Sequence, residues 1–130
     1  MNKTIVLTGI FFGVSAVLLG AFGAHGLKRL IDTEAIQTFN TGVTYQMYHA
    51  LFLLVLGGLP FVSEKQKKPV YYCVLFGIVL FSFSIYGLAT NGLTEFDFKK
   101  IAFLTPLGGS LLVLGWIFLG IRIFRENRTD

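Results

Sequence analysis

Four stretches of this chain carry no Asp, Glu, Lys or Arg: Ile5–Ala24, Thr41–Val62, Val70–Thr90 and Ile101–Ile121, of 20, 22, 21 and 21 residues. A hydrocarbon core about 30 Å thick is crossed by about 20 apolar residues rising 1.5 Å each. Every stretch has that length. All 18 formal charges lie between or outside them, at Lys3, in the segments 28–34, 64–68 and 95–100, and from Arg122 onward. Charged residues make up only 14% of the 130 residues, against about 25% in soluble domains. The polar surface is too small to cover a water-soluble globule. High hydrophobicity excludes intrinsic disorder. The single cysteine excludes a disulfide framework and a cysteine-based metal cluster.

The expected fold is all-α: a polytopic membrane protein with four transmembrane helices in one antiparallel bundle spanning residues 1–130. In lipid each stretch must satisfy its own backbone hydrogen bonds, so each is helical. The first could instead be a signal peptide, but it exceeds an h-region of about 7–15 residues and lacks a good cleavage site. Orientation follows the basic residues of short loops. The amino end, the loop Ser63–Pro69 and the carboxyl tail carry seven, and the other two loops carry four. Both termini are therefore expected in the cytoplasm. The net charge of +4 follows from this distribution and implies no nucleic-acid partner. The loop lysines are expected at anionic headgroups.

Local signals refine the picture. Asp32 or Thr33 can cap a helix, with Glu34 in its first turn; that helix can run unbroken into the second span, its first part forming an amphipathic interfacial segment between the first two spans. Pro69 suits the first turn of the third helix. Pro106, five residues into the fourth span, predicts a kink; the alternative is a helix starting there. Gly9, Gly13, Gly20 and Gly23 share about 80° of the first helix at helical rotation. Gly77 and Gly87 of the third helix and Gly108 and Gly115 of the fourth form similar stripes. Small residues let helix backbones approach closely. The neighbour is another helix of the bundle or, through the same faces, a second protomer. Cys73 reads as a small packing residue.

Polar residues within the spans gather toward the side opposite the termini. Besides Thr41, Thr44, Tyr48, Ser82 and Thr90 they are His25 at the end of the first helix, Tyr45, Gln46 and His49 on the second, Ser84, Tyr86 and Asn91 on the third, and Thr105 on the fourth. These last eight are the candidate polar pocket. Gly42, Gln46, His49 and Leu53 share a face, and His49 lies about 12 Å below Thr41. Unpaired polar groups in hydrocarbon cost several kcal/mol, so Gln46 and His49 are expected to face the interior. They serve as interhelical hydrogen-bond partners or, alternatively, as a ligand or proton site. Glycines around His25 would allow a sharp helix end with positive backbone dihedrals.

Gly20-Ala21-Phe22-Gly23-Ala24-His25-Gly26-Leu27, the run from Phe39 through Thr41-Gly42-Val43, Tyr45-Gln46 and Tyr48-His49-Ala50, and Thr105-Pro106-Leu107-Gly108-Gly109 with Trp116 resemble the small integral membrane proteins of domain of unknown function 423, also called uncharacterised protein family 0382. The eukaryotic transmembrane protein 256 is a relative. The resemblance covers nearly the whole chain and implies a multi-pass protein of the bacterial inner membrane. It supplies no reaction, substrate or cofactor.

Three functions compete at this point. A non-enzymatic bundle that scaffolds, assembles with or modulates other membrane components fits the lack of paired carboxylates, phosphate loop or metal-binding histidine pair. No catalytic residue, metal ligand or cofactor is assigned, and the partners are the bilayer with a second copy or other membrane proteins. A small-molecule, lipid or proton-handling protein would use the polar pocket. A haem or quinone protein would use His25 and His49, whose unequal depths make them poor axial partners.

Overall fold

A computed structural model describes residues 1–126. It contains four long helices: α1 (Lys3–Ala24), α2 (Thr33–Gly58), α3 (Glu64–Ala89) and α4 (Leu104–Glu126). Three-residue 3-10 turns follow α1 and α3, and a four-residue one, Phe98–Ile101, precedes α4. Arg128, counted with the carboxyl-terminal charges, lies outside the described residues.

The helix starts follow from capping chemistry. Asn2 caps α1 by accepting from the Ile5 amide at 3.0 Å, and Asp32 caps α2 by accepting from Ala35 at 2.8 Å. Ser63 opens α3 with a full capping box, exchanging bonds with Gln66. Each cap satisfies amides that a helix start leaves without a partner.

Several expectations change. The loop expected at Ser63–Pro69 is mostly helix, because the capping box starts α3 at Glu64; Pro69 is its sixth residue rather than part of its first turn. Pro106 is the third residue of α4. The missing N–H there costs nothing, since the first helical amides have no acceptor within the helix. The break predicted within the fourth span is thus a helix start. The segment expected along the membrane surface is the first part of α2, which runs unbroken from its cap at Asp32 into the second span, Thr33 to Gly58. The end of α1 uses no positive dihedral. Gly26 is right-handed, and no described residue has positive φ.

Neighbouring helices are antiparallel. Along α1 and α2, Gly9 lies against Leu53, Gly13 against Ala50, Gly20 against Val43 and Gly23 against Phe39. Along α3 and α4, Gly77 meets Leu112, Val74 meets Gly115 and Phe81 meets Gly108. The helices α2 and α3 form the inner pair. Each outer helix packs along one inner helix, α1 on α2 and α4 on α3, but not along the other. Two grooves result, one between α1 and α3 and one between α2 and α4. The apolar core between the helices includes Ile5, Phe12, Leu53, Val74, Ile78 and Leu112.

Among the described residues, three helical segments are long and apolar enough to cross a membrane: Lys3–Arg29, Glu64–Ala89 and Phe98–Arg125. The helix α2 is not among them: even its most apolar stretch, from Thr41 to Gly58, carries Thr41, Thr44, Tyr45, Gln46, Tyr48 and His49. As an inner helix it packs against both α1 and α3, while Tyr48, Leu51 and Val55 on its remaining face are exposed.

Close approach explains the glycines best at Gly108, where an added Cβ would overlap the backbone nitrogen of Phe81. Backbone cannot retreat as a side-chain tip can. Gly108→Ala is expected to destabilise the α3–α4 pair by about 1–3 kcal/mol, the usual cost of overpacking. Gly120→Ala, with open space around it, is expected to leave stability unchanged or slightly raised. Thermal unfolding in detergent, followed by circular dichroism, checks both.

Candidate functional site

The most enclosed polar side chain on the inner pair is Gln46, with no exposed surface. Its Nε2 donates to the Phe12 carbonyl at 3.0 Å and to Ser15 Oγ at 2.7 Å, both on α1. Its Oε1 accepts from Tyr86 Oη on α3 at 2.6 Å. The Phe12 carbonyl can only accept, so the amide must turn its nitrogen toward α1. One side chain thus ties three helices. One turn away, Ser82 Oγ of α3 donates to the Gly42 carbonyl of α2 at 2.9 Å. Gly42 makes room for the Tyr86 ring, whose Cε1 would lie 2.6 Å from an added Cβ.

His49 forms a second group, 4% exposed. Its Nδ1 lies 2.7 Å from the Tyr45 carbonyl, and Trp116 Nε1 of α4 donates to its Nε2 at 3.0 Å. A carbonyl only accepts and an indole N–H only donates. The ring in this arrangement is therefore the neutral tautomer with its proton on Nδ1, and both nitrogens are engaged. Tyr45 stacks at 6.5 Å on His49. Phe52 meets Trp116 edge-on with centroids 4.5 Å apart.

A third group stitches α3 to α4: Ser84 Oγ and Thr105 Oγ1 are 2.6 Å apart. Asn91 belongs to the connection between those helices, accepting from the Phe98 amide at 2.7 Å and donating to Asp97 at 3.2 Å. His25 is exposed and ends α1, its amide bonded to the carbonyls of Ala21 and Phe22. Six of the eight candidate residues thus fall into three separate hydrogen-bonded groups, and His25 and Asn91 stand apart. Among the described residues, every buried side-chain nitrogen and oxygen has a hydrogen-bond partner.

The open space beside His49 is the α2–α4 groove, a cavity of about 750 Å³ lined by Tyr45, His49, Phe81, Pro106, Ser110 and Trp116. Ser15, Ser82 and Trp116 complete these groups, and sequence reasoning gave none of them a pocket role. All three are polar groups within spans. Helical rotation sorts residues on one helix and says nothing of which helix lies opposite.

Lys67 was expected among solvated loop lysines, but it is 1% exposed. Its Nζ donates to the Gly57 carbonyl at the end of α2 at 3.2 Å and pairs with Glu64 at 3.4 Å. Asn2 completes the arrangement: its amide donates to the same Gly57 carbonyl at 2.7 Å, and its side chain donates to Glu64. The starts of α1 and α3 are thereby tied to the end of α2, where a cation offsets the negative helix terminus.

The family model described as "Protein of unknown function (DUF423)" matches residues 19–109. The chain belongs to the DUF423 family. A UPF0382 membrane protein of Staphylococcus saprophyticus is 37% identical over 123 residues, covering 95% of this chain and 98% of that protein. One of Haemophilus influenzae is 35% identical, covering 97% of each, and one of Bacillus subtilis 36%, covering 90% and 93%. No solved structure matches. The DUF423 match contains Gln46, His49 and Tyr86, while their partners Ser15 and Trp116 lie on either side of it. The chain is thus a small multi-pass membrane protein of the bacterial type, all-α, in agreement with the resemblance in its motifs.

Two substitutions probe the polar groups. Gln46→Leu leaves Tyr86 Oη and Ser15 without their partner, and the expected loss is about 1–3 kcal/mol. In the double variant with Tyr86→Phe the loss is expected to be smaller than the sum, read by unfolding in detergent. Trp116 is the only tryptophan, so its emission reports on His49. His49→Leu removes the indole acceptor and is expected to shift emission to shorter wavelength; His25→Leu is expected to leave it unchanged.

Proposed function

We propose that this DUF423 protein is a non-enzymatic helix bundle of the inner membrane that crosses it four times and scaffolds, assembles with or modulates other membrane components. The observation that carries this reading is the saturation of Gln46. The polar side chain best placed for chemistry spends its two N–H groups and its carbonyl on α1 and α3. Such bonds hold helices together in a medium that offers no water as an alternative.

The fourth crossing rests on packing. The helix α2 lies antiparallel to α1 over nearly its full length, from Gly9 against Leu53 to Gly23 against Phe39, so where α1 spans, α2 spans beside it. Its Gln46 and His49 then meet protein, as intramembrane polar residues generally do. The orientation with both termini in the cytoplasm rests on the excess of lysine and arginine at that end. Residues 1–130 form one domain in this reading, its glycine stripes serving contacts within the bundle.

A second reading has one observation in its favour. The 750 Å³ groove beside the His49–Trp116 pair is large enough for a small apolar molecule or a lipid chain, which would make the protein a lipid- or small-molecule-handling one. There His49 and Tyr45 would form the wall, and Ser84 and Thr105 the neighbouring stitch.

The test is photo-cross-linking in living cells. Probes at the lipid-facing Val17, Val55 and Val113, all more than half exposed, are expected to give discrete adducts with one or a few membrane proteins from one face of the bundle. Adducts with lipid alone from all three positions would discard the scaffold. Reporter fusions at residue 130 and in the loop near Glu95 are expected to read cytoplasm and exterior respectively; the reverse would overturn the orientation.

A further inference from the structure

The groove between α1 and α3 lies opposite the one beside His49 and has a different construction. Its apolar part holds about 430 Å³ between Leu7, Phe11, Phe12 and Leu75. Above it, toward the helix ends, sits a polar notch of about 270 Å³ bounded by Asn2, Glu64 and Lys68. Thr4 and Tyr71 line both, so the two are continuous, and Tyr71 Oη bonds Thr8 Oγ1 at 2.9 Å at the junction.

We propose that this notch and groove bind one anionic phospholipid, the phosphate at Lys68 and an acyl chain along Leu7, Phe11 and Leu75. Depth is the first argument. From Lys68 to Leu75 along α3 is about 10 Å, and from Asn2 to Phe11 along α1 about 13 Å, at 1.5 Å per residue. The groove therefore extends through most of one leaflet's half of a core about 30 Å thick. It begins at the helix ends, where headgroups lie. A free phosphate would have no use for the apolar part, and an apolar molecule none for the notch.

Charge is the second argument. Lys3, Lys65 and Lys68 are exposed around this end. Glu64, the acid in the notch, is already engaged by Asn2 and Lys67. The three exposed lysines are thus left to act on an incoming anion, and each basic residue near an anionic lipid surface contributes attraction. Tyr71 and Tyr72 stand below them, where aromatic residues anchor at the interface.

The site rests on α1 and α3 crossing the bilayer, and not on the scaffold role or on orientation. The full chain is reconstituted in phosphatidylcholine vesicles with spin-labelled phosphatidylglycerol or spin-labelled phosphatidylcholine as probe. The motionally restricted fraction is read by electron paramagnetic resonance. The expected result is a preference for phosphatidylglycerol of about fivefold at the bound position, lost in Lys68→Gln and retained in Lys100→Gln, a basic residue of the opposite end. Leu75→Trp, which fills the groove, is expected to lower the restricted fraction of the glycerol lipid only. Inorganic phosphate at millimolar concentration is expected not to compete. Equal restriction of the two lipids overturns the proposal, as does an equal drop in Lys68→Gln and Lys100→Gln, which would reveal diffuse surface attraction. Competition by phosphate would assign the notch to the free anion and overturn the lipid. A restricted phosphatidylcholine fraction in all variants shows that the protein remains inserted, so failure of the site is separable from failure of the membrane reading.

Discussion

Three helices converge on one amide. Gln46 sits where α1, α2 and α3 meet, and its nitrogen and oxygen can be satisfied only if all three keep their register. In hydrocarbon an unpaired amide finds no water, so sliding any helix by a turn strands polar atoms on two others. The apolar contacts around it are less selective, because lipid tails solvate leucine about as well as another leucine does. The amide therefore fixes the arrangement that the glycines then allow to close. Gly42 clears the path for Tyr86, and Gly108 lets the α4 backbone meet that of α3.

Where α2 ends, a second polar group does related work with different chemistry. Lys67 places a buried ammonium on the Gly57 carbonyl and is balanced by Glu64, while Asn2 joins both. A buried charge is costly unless paired, and here the pairing links three helix ends. Tied near the middle of α2 by Gln46 and at one end by Lys67, the inner helices α2 and α3 support outer helices that each touch only one of them closely. The two grooves follow directly from that arrangement. One is walled by the His49–Trp116 pair and the other rises to a basic notch, so the two lipid-facing sides are chemically unlike.

Particular residues show how far reading a chain can go. The face Gly42, Gln46, His49 and Leu53 was legible because polar groups in apolar spans must turn inward, and all four are buried. The cap at Asp32 was legible because Asp before a helical run satisfies its first amides. Pro106 was misread for want of a helix boundary: the same proline kinks a helix interior and fits a first turn, and only the position of Leu104 as the start decides. Lys67 looked like its neighbours Lys65 and Lys68, since nothing local reveals that the end of α2 lies over it. Eight polar residues were gathered into one expected pocket, but the division of six of them into three groups, with His25 and Asn91 apart, depends on which helices are adjacent.

The sequence by itself determined the membrane, the helical class and the family, because charge-free stretches of span length leave the backbone no other way to bond and because the motifs are specific. It also determined that Gln46 and His49 share an inward face of the second helix, a matter of 100° rotations within one segment. Only the tertiary structure decided the pairings: Gln46 with Ser15 and Tyr86, His49 with Trp116, Lys67 with Gly57, and the two grooves between helices that fail to pack. Those depend on contacts between residues 10 to 67 positions apart, where many registers bury similar apolar area and one satisfies the polar atoms.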